Sequence, residues 1–153
     1  MNLWERFLAY FKKADEMIRL HPLYTYGSPT NTGSSVVFGI YSVKGHKETK
    51  VGECDIRFGM NEELYYAGNV GYNVSPVYRG HHYAYYGCLS LFQIVKEAYG
   101  LDEIIITCSP DNIASKRTIE RLGGQFLECV DVPKSHWLYK RGETVKNIYR
   151  IDL

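Results

Sequence analysis

The chain predicts an α/β fold of the α+β kind: a mixed, mostly antiparallel twisted sheet flanked by helices. Three observations carry that expectation. Residues 36–43 and 51–58 are rich in β-branched and aromatic side chains and are separated by a polar turn, as in a hairpin. The alternating residues Val70, Tyr72 and Val74, the long apolar segment from Tyr83 to Tyr99 and the run Ile104-Ile105-Ile106 read as strand, crossover helix and buried parallel strand, a right-handed βαβ unit. Two further β-rich stretches close the sequence. The sum is one sheet layer packed against helices.

In chain order, residues 2–20 predict an amphipathic helix. Leu3, Phe7, Phe11, Ala14 and Ile18 recur at helical spacing, with charges on the other side, and His21-Pro22 is expected to end it. That leaves little room for a strand ahead of it. The segment from Gly27 to Ser35 is rich in Gly, Ser, Thr, Asn and Pro and predicts a loop. Strands follow at 36–43 and 51–58, joined through Lys44-Gly45-His46-Lys47-Glu48. Asn61-Glu62-Glu63 is expected as a turn before a strand over 66–74.

The helix Tyr83–Tyr99 is apolar on most sides, and Gly100 suits its C-terminal cap. A strand over 103–108 comes next. Ser109-Pro110 fits an N-cap and first helical residue for a helix running to Leu122. Residues 125–132 and 146–152 predict the last two strands, Pro133 closing the first because it cannot donate to a ladder. Between them a loop carries Trp137 and Tyr139 over the body of the domain.

The 153 residues suit one domain, 1–153, able to bury about two-thirds of its unfolded surface. A formal charge of +1, with both signs interspersed, argues against a nucleic-acid partner. Charges throughout the first helix argue against a signal peptide, and its mixed signs against a membrane-surface helix. Cys54, Cys88, Cys108 and Cys129 are widely spaced in apolar segments, with no Cys-x-x-Cys pair, which suits reduced thiols in the cytoplasm. The 14 tyrosines fit exposed contact surface as well as strand propensity, so a homodimer is left open.

The segment richest in chemistry is Asn73-Val74-Ser75-Pro76-Val77-Tyr78-Arg79-Gly80-His81-His82-Tyr83-Ala84. A strand, a Gly-containing loop and a helix start gather free backbone N–H groups at the positive end of a helix dipole, which suits a phosphate. Further on stand Asp111-Asn112-Ile113-Ala114-Ser115-Lys116 and Ile119-Glu120-Arg121-Leu122-Gly123-Gly124.

Taken in order, these residues resemble the acyl-CoA signature of the GNAT N-acetyltransferase superfamily, over roughly residues 50–128. Arg79 and Ala84 match the ends of the Arg/Gln-x-x-Gly-x-Gly/Ala pattern, and His82 stands where it has glycine. The Asn112 and Ser115 segment is similar to the family's Asn-x-x-Ser helix, and the order of motifs most resembles a branch of predicted bacterial acetyltransferases. The resemblance implies acetyl-CoA as cosubstrate and a primary amine of a small molecule or peptide as acceptor, without a metal. It implies a central pair of parallel strands that splay to admit the pantetheine arm along Asn73 and Val74, as in strand addition. The Val74 N–H would polarise the thioester oxygen. The amides of Arg79, Gly80, His81, His82, Tyr83 and Ala84 would hold the pyrophosphate, and Asn112 and Ser115 the arm.

Each assignment has an alternative. Arg79 can pair with a surface carboxylate, Asn112 can serve as a helix-start residue, and His81-His82 invites a metal reading that lacks carboxylate or Cys partners. The strand before the loop carries no carboxylate where family members often place a base. Asn69 is a candidate to position a water there, and Tyr72, on the opposite face, is another catalytic candidate. Ile119 occupies the position of the family's acid tyrosine and cannot donate, so Cys108, Ser109 or another tyrosine would substitute. Glu53, Asp55, Glu62 and Glu63 remain candidate bases. Two rival functions stand beside an N-acetyltransferase: a weak or inactive acyl-CoA-binding sensor, and a protein-interaction domain.

Overall fold

The computed structural model describes residues 18–27 and 34–153. Most of the helix expected over 2–20, and most of the loop expected over 27–35, lie outside those residues. Where the two expectations meet the structure they are corrected. Ile18–Gly27 is a strand, β1, with His21 and Pro22 in its middle. It pairs antiparallel with β2 and so adds a strand directly before the first hairpin; the expectation of little room for a strand ahead of residue 2 lies outside the described residues. Pro22 fits because, among the described residues, β1 has a ladder on one side only and its register shifts between Pro22 and Tyr24. A proline that reads as a helix stop is here the mark of an edge strand.

Strands β2 (Ser34–Lys44) and β3 (Lys47–Arg57) form the expected hairpin, closed by a two-residue turn with Gly45 at φ 62°. The segment expected to be a turn and then a strand from Tyr66 begins instead as a short helix, α1 (Glu62–Ala67). Its cap explains why: Asn61 Oδ1 accepts the Leu64 N–H at 2.8 Å, Glu62 and Glu63 sit in the first turn, and Leu64 is buried. Strand β4 is therefore short, Val70–Val74, and completes an antiparallel sheet in the order β1-β2-β3-β4.

After β4 come a single 3-10 turn at Pro76–Tyr78 and the long helix α2 (Tyr83–Tyr99), ended by Gly100 at φ 67° as expected. Strand β5 (Glu103–Cys108) follows, then α3 (Ile113–Arg121). The N-cap of α3 is Asn112, not Ser109. The Asn112 N–H closes a turn onto Ser109 O at 3.0 Å, and its Oδ1 takes the Ser115 N–H at 3.1 Å. Strands β6 (Gln125–Asp131) and β7 (Val145–Asp152) flank a one-turn helix, α4 (Trp137–Lys140), where a loop was expected. His136 Nδ1 caps it by accepting the Leu138 N–H at 3.1 Å.

Strand β5 ladders antiparallel with β7, giving a second sheet in the order β5-β7-β6. It shares no ladder with β4. The two sheets meet at one joint, where the Asn69 N–H donates to Ile105 O at 2.7 Å and the Ile105 N–H to Asn69 Oδ1 at 2.8 Å. From that joint β4 and β5 run onward to Val74 and Cys108, which line the same opening. This is the splayed central pair. Helix α2 fills the space behind it: Tyr85, Cys88, Leu91, Phe92 and Val95 pack with Phe38, Ile40, Cys54 and Ile56 of the first sheet and Ile104 and Ile106 of the second.

Candidate active site

A cleft of about 1220 Å³ opens between the splayed strands. Its first half is built mainly from backbone. Ser75 N–H bonds Val51 O at 2.9 Å, and Asn69 O accepts the Arg57 N–H at 2.7 Å. By the alternation of an antiparallel ladder, the groups of Val70, Tyr72 and Val74 then face the gap beside β5. Beyond β4 the loop turns at Gly80 with φ 89°, a conformation that favours glycine, and a Cβ there would meet nothing.

His82 is the N-cap residue of α2 and the one non-glycine residue with positive φ, 61°, among those described. The glycine of the family pattern thus corresponds to a left-handed backbone position, which costs about 1–2 kcal/mol for a residue with a Cβ. The helix ladder begins with the Tyr86 N–H on His82 O, so the N–H groups of His82, Tyr83 and Ala84 precede it and point out of the helix end.

Of the residues expected here, Asn73, Val74, Arg79, Gly80, His82, Tyr83, Ala84, Asn112 and Ser115 line the cleft, and His81 does not. Arg79 folds back, its Nε donating to Val74 O at 3.0 Å, so part of its guanidinium shapes the loop. Asn112 does act as a helix cap while still lining the cleft.

Two of the three catalytic candidates reach the cleft. The Tyr72 hydroxyl and Ser115 Oγ lie 2.5 Å apart and tie β4 to the start of α3. Burial pushes the Tyr72 hydroxyl well above its ordinary pKa, against the opposing pull of the Ser115 hydrogen bond. It therefore stays protonated. Burial also raises the Cys108 thiol, partly offset by the ammonium groups of Lys146 and Lys116. Asn69 is a departure from expectation. Its Nδ2 donates to Arg57 O at 2.9 Å and Gly59 O at 2.8 Å, and its Oδ1 is taken by Ile105. The side chain locks the joint between sheets and is absent from the cleft wall.

The second half of the cleft is built from side chains. Asp55 and Arg57 of β3 form a half-buried pair, with Arg57 Nε donating to Asp55 Oδ2 at 2.8 Å. Arg57 Nη1 also donates to Ala67 O at 3.0 Å and Gly68 O at 3.2 Å. The pair leans over Gly71, which lies opposite Asp55 on β4 and has no side chain to obstruct it. Tyr24 and Tyr26 come from β1, Trp137 and Arg141 from around α4, and Lys146 from β7. Lys146, 8% exposed, donates to Glu143 at 2.8 Å, and the Trp137 indole N–H is buried with no partner among the described residues. Of these, sequence reasoning named Asp55 as a base and Trp137 as packing, and missed the rest. The one local signal was Asp55 and Arg57 two apart in a strand, hence on one face.

A sequence profile of the acetyltransferase (GNAT) domain matches residues 6–125, so the chain belongs to that family. No curated protein sequence matches it. Among solved structures it is similar to a GNAT-family acetyltransferase from Bacillus anthracis, at 19% identity and TM-score 0.59, over 76% of this chain and 65% of that one. It is also similar to the microcin C7 self-immunity acetyltransferase MccE in complex with acetyl-CoA and AMP, at 17% identity and TM-score 0.56, over 78% and 61%. A third is RimL, the ribosomal L7/L12 alpha-N-protein acetyltransferase, in complex with coenzyme A, at 16% identity and TM-score 0.58, over 78% and 62%. Identities this low speak to fold alone, and the chain spans less than two-thirds of the length of each of these structures. Among the described residues, no helix is long and apolar enough to cross a membrane.

Proposed function

We propose that the chain is an acetyl-CoA-dependent N-acetyltransferase that acts on a primary amine of a small molecule or peptide, by direct attack in a ternary complex. The observation that carries this reading is the gap between β4 and β5, which leads from the unladdered edge of β4 to the exposed N–H groups at the start of α2. The residues fit such a cosubstrate: Gly80 leaves open space at the helix end, and Asn112 and Ser115 flank the gap. Family membership and the neighbours solved with acetyl-CoA or coenzyme A support it.

Bound there, acetyl-CoA supplies an activated acetyl thioester. The Val74 N–H is oriented to polarise its oxygen. Tyr72, kept neutral by burial, donates its proton to the departing thiolate, with Ser115 fixing the hydroxyl. Asp55, reaching over Gly71, receives the proton of the incoming ammonium, and Arg57 holds the carboxylate in position. Cys108 is the reserve donor. A homodimer and a cytoplasmic setting belong to the same proposal, the latter because the described cysteines are all free thiols.

The rival is an acyl-CoA-binding sensor. Two observations favour it: Asn69, at the position of the missing carboxylate, is fully used by the scaffold, and His82 crowds a glycine position. Melting with and without acetyl-CoA, followed by thiol release with an amine panel, separates the readings. Ligand at 100 times its dissociation constant should add about 2.7 kcal/mol. No upward shift would overturn both, and a shift without thiol release would favour the sensor.

A further inference from the structure

We propose that the acceptor carries a carboxylate close to its reacting amine, and that Arg141 and Lys146 receive it in the half of the cleft built from side chains. The inference rests on the transferase reading above and deepens it by naming the acceptor's chemistry.

Charge in that half is sorted between two walls. The β3 wall presents Glu53, Asp55 and Arg57. Arg57 holds Asp55 at 2.8 Å, and Lys50, from outside the cleft wall, holds Glu53 at 3.0 Å, so this side is neutral. The α4–β7 wall presents Arg141, Glu143 and Lys146, two cations to one carboxylate. Lys146, its side chain 8% exposed, donates to Glu143 Oε1 at 2.8 Å. The Arg141 Nε lies 3.8 Å from Glu143 Oε2, beyond hydrogen-bond length, and its side chain is 67% exposed. One positive charge is left over, on a guanidinium whose forked donors match a carboxylate. Its Cζ stands 5.5 Å over the Trp137 ring, a contact that uses none of those donors.

Both walls are fastened to the same short helix. Arg57 Nη1 donates to Ala67 O at 3.0 Å. His136, next to Trp137, accepts the Leu138 N–H at Nδ1, so its Nε2 is the donor to Glu63 O at 2.9 Å. Glu63 and Ala67 are four residues apart on α1, about 6 Å along its axis. An amine and a carboxylate on one molecule, each with a hydrogen bond of about 3 Å, span a distance of that order. The Lys146 ammonium also acts on the Cys108 thiol, so the positive wall borders the end of β5. Tyr24, Tyr26 and Trp137 line the same half and suit an apolar or aromatic body. The transfer itself is unchanged: the amine nitrogen bonds the acetyl carbon as the C–S bond breaks. One ammonium proton leaves through Asp55, and a second replaces the one that Tyr72 gives to sulfur.

Steady-state kinetics of the whole chain on two matched pairs of acceptors tests this. One pair is phenylalanine and phenylalaninamide; the other is aspartyl- and asparaginyl-phenylalaninamide. Within a pair, kcat/KM should be about tenfold or more higher for the carboxylate, the size of one charge-assisted bond. A preference in the first pair marks a free amino acid as acceptor, and one confined to the second marks a peptide with an acidic first residue. Arg141→Gln should erase the preference by raising KM for the carboxylate acceptor, with kcat and the uncharged acceptors little changed. Arg141→Lys should keep part of it, and melting temperatures of both variants show whether the fold is intact. Equal kcat/KM within both pairs in the wild type would overturn the inference. So would a preference that survives Arg141→Gln, or a loss that is equal for charged and uncharged acceptors. No turnover of these acceptors or of any other amine would overturn the transferase reading itself, which is a different result.

Discussion

The two halves of the cleft are made in different ways. The half proposed to hold the cofactor, called the cofactor half, comes from nearly continuous chain: β4, the loop after it and the start of α2, with the first turns of α3 opposite. Its working parts are backbone groups, set by Gly80, by the left-handed His82 and by the Asn112 cap. The other half, proposed to take the acceptor and called the acceptor half, gathers side chains from β1, β3, α4 and β7, from Tyr24 to Lys146. Backbone geometry tolerates changes of side chain, whereas a convergence of side chains is open to change at each contributor. The first half suits a constant cosubstrate and the second a particular acceptor.

The sharpest way to break that division is to alter residues at the boundary and ask what fails. Tyr72→Phe removes the proposed proton donor and its link to Ser115 but no backbone group, so turnover should fall by about a hundredfold or more while acetyl-CoA affinity holds. Steady-state kinetics on an acceptor from the amine panel, with calorimetry alongside, gives both numbers. Turnover close to wild type would move the donor role to Cys108 or to solvent. Asp55→Asn should lower turnover about tenfold to a hundredfold. It should also lower the melting temperature, because Arg57 loses its ionic partner. A variant that melts lower yet turns over normally would make the pair part of the scaffold only.

Next in size is a test within the cofactor half. Arg79→Glu puts a carboxylate at the mouth of the proposed phosphate site and removes the donor to Val74 O. CoA affinity should fall tenfold or more, about 1.4 kcal/mol, with a much smaller effect on unliganded melting. Pantetheine, which lacks the phosphates, should be affected less. Calorimetry showing unchanged affinity would remove the loop from the phosphate site.

The same contrast explains what was legible in the sequence. Helix α2 and its Gly100 cap, β5 and the hairpin were readable because their signals are local and no tertiary contact overrides them. The loop proposed to hold the cofactor was readable as an ordered motif whose residues mostly line the cleft, although His81 does not and Arg79 partly serves the loop itself. The β1 segment was misread because Ile18 continues the helical spacing of the residues before it and Pro22 looks like a stop; pairing with β2, which decides the matter, is non-local. Asn69 misled for the same reason. Its face could be read, but not that Ile105, dozens of residues later, would occupy its amide. The acceptor half was illegible as a whole, since nothing local links Tyr24, Arg57 and Lys146.

A smaller effect tests the shared core behind both halves. Burial raises the pKa of Cys54, Cys88 and Tyr72 above their ordinary values of 9.0 for the thiols and 10.0 for the phenol. A folded-state pKa above the unfolded one gives stability that is intact below the unfolded value and is lost as pH rises towards the folded one. Melting temperature should therefore hold up to about pH 9 and decline beyond it. Tyr72→Phe should soften the decline above about pH 10. A profile that is flat to higher pH would mean these groups are better solvated than their burial implies.

The smallest expected change in stability, and the finest test of the cofactor half, is His82→Gly. His82 holds φ at 61° and its side chain makes no capping bond to α2. Glycine relieves a left-handed strain of about 1–2 kcal/mol, but it also frees the unfolded chain, which takes back about 0.4–1 kcal/mol. The net should be a gain of about 1 kcal/mol or less, read as a small rise in the unliganded melting temperature. Binding carries the further information. The imidazole stands beside the N–H groups that would receive the pyrophosphate, so it either obstructs a phosphate or donates to it. If it donates, the glycine variant binds acetyl-CoA as well as wild type or slightly worse, and the chain is an enzyme that has replaced a backbone approach with a side-chain contact. If it obstructs, affinity improves about tenfold, or 1.4 kcal/mol. That improvement, with no turnover on any amine, would mean that the cofactor half has kept its backbone form after losing its use, and would favour the sensor over the transferase.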